Sequence, residues 1–121
     1  MADARHELGK RAEDAAASYL EDGGFVILGR NMRAGRREVD IVARDGPVVI
    51  IVEVRTRSAG AWVGPLDSVD WKKQRHVRAA GERLWRARFK FDATLERMRF
   101  DIVGVTFDGD TPRCEHIKAA F

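Results

Sequence analysis

The chain is predicted to be an α/β domain: a mixed central β-sheet flanked by helices, in the order helix, three-strand meander, helix, strand, strand. Three observations predict it. Apolar residues recur at helical spacing in two stretches, residues 4–22 and about 68–88. Three apolar segments between those stretches are separated only by turn-forming residues, Ala34-Gly35-Arg36 and Asp45-Gly46-Pro47. A further strand-like segment at 98–106 follows the second helical stretch, and a strand that rejoins its sheet through a helix needs a crossover, so part of the sheet is parallel. With 121 residues, 45% of them hydrophobic, the chain is long enough for one core and too short for two ordinary domains, so a single domain over 1–121 is expected.

In the first helix the stripe is Leu8, Ala12, Ala15, Ala16, Tyr19 and Leu20, with Lys10, Arg11, Asp14 and Glu21 around the rest. Gly23-Gly24 ends it, because glycine tolerates the left-handed conformation found at helix C-termini. Phe25-Val26-Ile27-Leu28 opens a strand running toward Arg33, and the next strand covers 38–44. The central strand, 48–57, begins with an unbroken apolar run, as a strand covered on both faces does. Residues 58–65 are small and turn-rich, with Trp62 and Val63 as the bulky members, and read as a loop. The second helix carries the stripe Val69, Val77, Ala80, Leu84 and Ala87. A turn at Asp108-Gly109-Asp110 then separates the strand at 98–106 from a short one at 114–118.

Cys114 is the only cysteine, which excludes an intramolecular disulfide. No stretch approaches the roughly 18 apolar residues of a membrane span, and Met1 to Glu7 lack the apolar region of a secretion signal, so a cytoplasmic protein without membrane association is expected. A zinc site would need more Cys and His ligands than Cys114, His6, His76 and His116 supply from such distant positions. The formal charge of +3 is mildly basic, and the 22 Lys and Arg matter for phosphate binding if they gather on one side.

Charges interrupt the apolar strands at Asp40 in the second strand and at Glu53 and Arg55 in the third. Alternation puts Glu53 and Arg55 on one face. Ionised groups in such a run cost several kcal/mol each unless a partner, a hydrogen bond or a metal compensates them. An Asp on one strand with Glu-x-basic on the next can hold a divalent cation beside a phosphodiester, with carboxylate oxygens as hard ligands. Glu13 lies beside the stripe of the first helix, next to Gly9, Ala16 and Leu20, where it reaches a helix-sheet boundary. Lys73 starts from the buried side of the second helix, and its amine either snorkels into water or meets phosphate at the cluster. Gln74, at the edge of that stripe, is placed to contact the same site. Arg30, Arg33, Arg36 and Arg37 gather around the first turn and face either solvent or a nucleic-acid backbone. Arg99 and Asp101 read as a structural salt-bridged pair. Trp62, Trp71 and Trp85 are candidates for base stacking, Trp62 the best placed and Trp85 the one best explained as core.

Glu13, Asp40 and Glu53-Val54-Arg55, in that order, resemble the PD-(D/E)xK nuclease superfamily, restriction-endonuclease-like in fold, with archaeal Holliday-junction resolvases as near relatives. Within it the chain is similar to the YraN family of small bacterial proteins. The likeness extends over Gly9, Ala16, Tyr19-Leu20, Arg30-Asn31, Arg37-Glu38-Val39-Asp40-Ile41-Val42, Lys73, Arg99-Phe100-Asp101 and Ala120-Phe121. The resemblance implies that Asp40 and Glu53, with the Val54 carbonyl, ligate Mg²⁺ or Mn²⁺. It implies too that Glu13 orients a water or a second metal, and that Arg55 stands where the superfamily has its catalytic lysine. Two departures are visible: Arg37 replaces the glycine before Glu38, and Arg55 replaces that lysine. Arginine stays protonated at any useful pH, so Arg55 can neutralise phosphate charge but cannot act as the base.

Three functions compete. The first is a metal-dependent endonuclease-like protein for branched or single-strand-containing DNA, with Lys73, Gln74, Arg30, Arg36 and Arg37 on substrate. The second is a DNA-binding module of nuclease ancestry without turnover, and the third a structural protein whose charges serve the fold. The resolvase likeness also suggests a homodimer, by analogy.

Overall fold

Helix α1 covers Ala4–Asp22, the span its stripe predicts, in a computed structural model that describes residues 4–57 and 69–121 of the chain. Its buried face is narrower than expected. Ala12, Ala16, Ala17 and Leu20 are buried, whereas Leu8 and Tyr19 stand 38% and 41% exposed. Small alanines let the helix lie close on the sheet, which leaves the larger side chains at its flanks. The helix ends as its two glycines dictate: Gly24 takes φ +92°, and the amides of Gly24 and Phe25 donate to the carbonyls of Glu21 and Leu20.

Strands β1 (Val26–Ala34), β2 (Arg37–Asp45) and β3 (Val48–Arg57) form the antiparallel meander. The expected loop at 58–65, with Trp62 and Val63, and Ser68 at the expected start of the second helix lie outside the described residues. Helix α2 runs over Trp71–Ala87 behind the N-cap Asp70, whose carboxylate accepts from the Lys73 amide at 2.8 Å. Val77, Ala80, Gly81 and Leu84 are buried, while Ala87, expected in the stripe, is exposed in the last turn. A 3₁₀ turn at Phe89–Phe91, which the sequence reading does not foresee, buries Phe89. Strand β4 (Arg97–Asp108) returns parallel to β3, and β5 (Thr111–Ile117) pairs antiparallel with β4. The last strand starts earlier than the expected 114–118, because the ladder resumes at Asp108 opposite Thr111 immediately around Gly109.

The sheet order is β1-β2-β3-β4-β5, with one core on each face. On one side α1 packs on Val48, Ile50, Val52, Val103 and Val105. On the other α2 packs on Val49, Ile51 and Phe100. Gly81 lets α2 approach: a Cβ there would lie 2.7 Å from a Phe100 ring carbon and 3.1 Å from Ile51. No helix among the described residues is long and apolar enough to cross a membrane.

Two irregularities position the charged residues. Val39 and Val42 pack with the α2 cluster but Ile41 and Ala43 with the α1 cluster, so face alternation breaks at Asp40. Asn31, which lies between the paired residues Arg30 and Met32 of β1, takes φ +51°. The β2–β3 ladder also ends at Ile41 opposite Val52. Beyond that point β2 continues with β1 and β3 with β4, and the strands part.

Candidate functional site

Where β2 and β3 separate, a side chain takes over from the backbone ladder. The Val54 amide donates to Asp40 Oδ2 at 2.9 Å. Glu53, on the α2 face with Val49 and Ile51, is only 5% exposed. Two cations approach its Oε1: Lys73 Nζ at 3.6 Å, reaching over from α2, and Arg55 Nε at 3.8 Å from two residues along the strand. Both distances suit ion pairs and exceed a good hydrogen bond.

The electrostatics join three carboxylates. Burial, and then the neighbouring Asp40, push Glu53 up to about 7 against the pull of Lys73 and Arg55. Asp40 is likewise raised by burial, with the Val54 amide, Lys73 and Arg55 opposing. Glu13, on α1, is raised by burial and then by Asp40, with Arg30 opposing. Asp40 thus interacts with Glu13 on one helix's side and Glu53 on the other's, which the break in alternation permits. Glu13 Oε1 is buried and has no hydrogen-bond partner among the described residues.

The predicted binding residues divide into two groups. Arg30 pairs with Asp14 at 2.7 Å and lies 3.8 Å from Glu13, so it serves the α1 side. Gln74 donates to the Val69 carbonyl at 3.0 Å and ties down the start of α2. Arg36 and Arg37 sit at the β1–β2 turn, where they line a cavity of about 510 Å³ with Arg83 and Arg86 of α2. Arg37 also lines a smaller cavity of about 170 Å³ with Glu38, Lys73 and His76. Arg83 and Arg86 do not stand out in the sequence, because exposed charges on a helix look like an ordinary solvated face until the turn is seen against them. His76 is held below its usual range by desolvation and by Arg37, Lys72, Lys73 and Arg75.

Arg99 and Asp101 form the structural pair expected of them. Asp101 is fully buried and accepts from Arg99 Nε and Nη2, and from the Ala119 amide, at 2.8 to 2.9 Å; His116 Nε2 lies 2.7 Å away. Trp71 is 66% exposed with the Arg75 guanidinium over its ring, and Trp85 packs at the edge of the α2 core.

The acids suit a divalent cation in kind. Buried Glu53 and half-buried Asp40, which repel one another, are hard ligands whose ionisation such a cation favours. Among the described residues no three Asp, Glu, His or Cys side chains converge as a complete cage.

Comparison with known proteins gives a consistent result. The model of an uncharacterised protein family, UPF0102, matches residues 12–105. A UPF0102 protein of Sorangium cellulosum is 56% identical over 121 residues, covering 99% of this chain and 84% of the relative. Relatives from Anaeromyxobacter dehalogenans and Geobacter metallireducens are 45% and 40% identical, over 98% and 94% of this chain and 87% and 91% of their own lengths.

Proposed function

The chain belongs to the UPF0102 family, the YraN family, and from that premise we propose that it is a metal-dependent, nuclease-like protein that acts on branched or otherwise structured DNA. One observation carries the reading: Glu53, buried beside Asp40 where β2 and β3 part, has Lys73 and Arg55 within 4 Å of one oxygen. Two acids and two cations around one gap form an arrangement suited to an ion and a phosphodiester together.

Asp40 and Glu53, with the Val54 carbonyl, would hold Mg²⁺ or Mn²⁺. When bound, such an ion polarises a phosphoryl oxygen and acidifies water. Glu13, whose Oε1 is buried without a hydrogen-bond partner among the described residues, would accept a hydrogen bond from water and orient it. Lys73 and Arg55 offset the charge that builds on the phosphoryl oxygens. Arg55 holds its proton throughout, so its part is electrostatic. The test is Mn²⁺-dependent cleavage of branched and linear DNA by the natural protein, Asp40→Ala and Glu53→Ala. Cleavage lost in both variants is expected; cleavage unchanged in both removes the mechanism.

A second reading, a DNA-binding module without turnover, draws on Arg55 itself, which sits at the acids but cannot accept a proton. In that case Mg²⁺ titration of the natural protein gives no tight site, and DNA affinity falls with salt equally with and without metal.

A further inference from the structure

Most arginines of the α1 side and of β4–β5 are already paired: Arg11 with Asp110, Arg30 with Asp14, Arg99 with Asp101, Arg113 with Asp108. Four others behave differently. Arg36 and Arg37 on the β1–β2 turn and Arg83 and Arg86 on α2 line one cavity of about 510 Å³, and among the described residues none lies within ion-pair distance of a carboxylate.

The cavity has a built floor. Gly35 takes φ +67°, a conformation that favours glycine, and the Arg83 guanidinium lies close over its backbone, 3.0 Å from where a Cβ would stand. Ala34, Ala79 and Ala80 complete the lining beside the four fork-shaped cations. Guanidinium groups of this kind match phosphate oxygens two at a time.

The cavity adjoins a second one that leads toward Lys73. It shares Arg37 and Ala80 with the smaller cavity that Lys73 lines, and Lys73 lies 3.6 Å from Glu53. A cavity of about 680 Å³, which Glu38 also lines, has Glu13 and Asp14 in its wall with Lys10, His6 and Arg30, the last already committed to those acids. That cavity has three carboxylates beside Lys10, His6 and the committed Arg30, whereas the arginine cavity has four guanidinium groups and no carboxylate in its lining.

We infer that the Arg36-Arg37-Arg83-Arg86 cavity is a phosphate-binding subsite that holds the backbone of the nucleic-acid strand flanking the phosphodiester presented to Glu53. The inference rests on the nuclease-like reading, which it supplies with a direction: the flanking strand leaves the site along α2 and the β1–β2 turn. The group recognised there is phosphate, whose oxygens a guanidinium fork matches two at a time.

The test is fluorescence anisotropy of the whole protein with a labelled DNA duplex and the matching single strand, in EDTA, across a salt series. Arg83→Ala/Arg86→Ala should lower the slope of log affinity against log salt by roughly two and weaken binding at least about tenfold at moderate salt, on both DNAs if backbone alone is read. Arg11→Ala/Arg113→Ala, which removes as much charge from the paired side, should leave the slope unchanged. Equal slopes for the natural protein and Arg83→Ala/Arg86→Ala overturn the subsite, and so does an equal loss in the Arg11→Ala/Arg113→Ala control. A natural protein that binds neither DNA overturns it as well. The nuclease-like reading is judged separately, by Mn²⁺-dependent cleavage with Asp40→Ala and Glu53→Ala, so the two can fail independently.

Discussion

Glu53 ionises in the folded protein only at about 7, against 4.5 for an ordinary glutamate, so between those values the ion-free folded state holds a proton that the unfolded chain has released. Stability must therefore fall as pH rises through that window, by roughly 3 kcal/mol at most. Glu53→Gln should remove this slope and make the ion-free protein more stable than the natural one above pH ~7. Urea melts at several pH values check this, and a Glu53→Gln protein less stable at high pH would mean that the pairs with Lys73 and Arg55 outweigh burial. Asp101 has the opposite sign. Burial pushes it up too, but His116, Arg99 and the Ala119 amide more than compensate and hold it below its usual range. Its contribution is present at neutral pH and lost only as pH falls through that low value. Asp101→Asn should cost about 3 kcal/mol, because it leaves Arg99 facing a buried neutral amide, and should leave DNA affinity unchanged. Asp40, Glu53 and Arg55 were legible in the sequence because charge inside an apolar strand has to be compensated. Arg83 and Arg86 were not, since their significance comes from Arg36 and Arg37 meeting them across a cavity.

Helix α2 can lie against the sheet only because position 81 lacks a side chain. Gly81→Ala improves helix propensity by about 1 kcal/mol in an exposed setting. Here its methyl group would sit 2.7 Å from Phe100, so a net loss of about 1 to 3 kcal/mol is expected, read as a lower melting temperature. The displacement should also move Lys73 away from Glu53 and weaken any metal or DNA binding in parallel. The elements themselves were largely legible. The glycine stop of α1, the turns at Gly35 and Gly46 and the apolar run of β3 are local signals, and their boundaries follow from them. The 3₁₀ turn at Phe89–Phe91 was not, because Phe-Lys-Phe has too few residues for a period to register. Nor was the reversal of faces at Asp40: Val39-Asp40-Ile41-Val42 has the appearance of a regular strand, and the irregularity coincides with Asn31 at φ +51° on β1 and with the end of the β2–β3 ladder, neither of which a local pattern registers. That local failure of periodicity is what lets one carboxylate meet acids from both layers.

Across the whole molecule, the proposed cation would link folding, proton binding and metal binding in a single equilibrium through the acids on the sheet and the cations of α2. A cation that binds only the folded state stabilises it by about 2.7 kcal/mol when present at a hundred times its dissociation constant. Glu53 must lose its proton to serve as a ligand, so protons and the cation compete, and the stabilisation should grow as pH rises toward and past about 7. Mn²⁺ should thus raise the melting temperature of the natural protein more at high pH than at low pH, and reverse the loss of stability that deprotonation of Glu53 causes there. Asp40→Ala and Glu53→Ala should show no such rise, and EDTA should abolish it. Arg55→Lys keeps the positive charge while introducing an amine that can lose its proton, so the Mn²⁺-induced rise should persist in that variant, and any cleavage should increase. A rise of equal size in Asp40→Ala and Glu53→Ala would put the ion elsewhere on the protein. A rise in the natural protein that is independent of pH would show that Glu53 is not among its ligands.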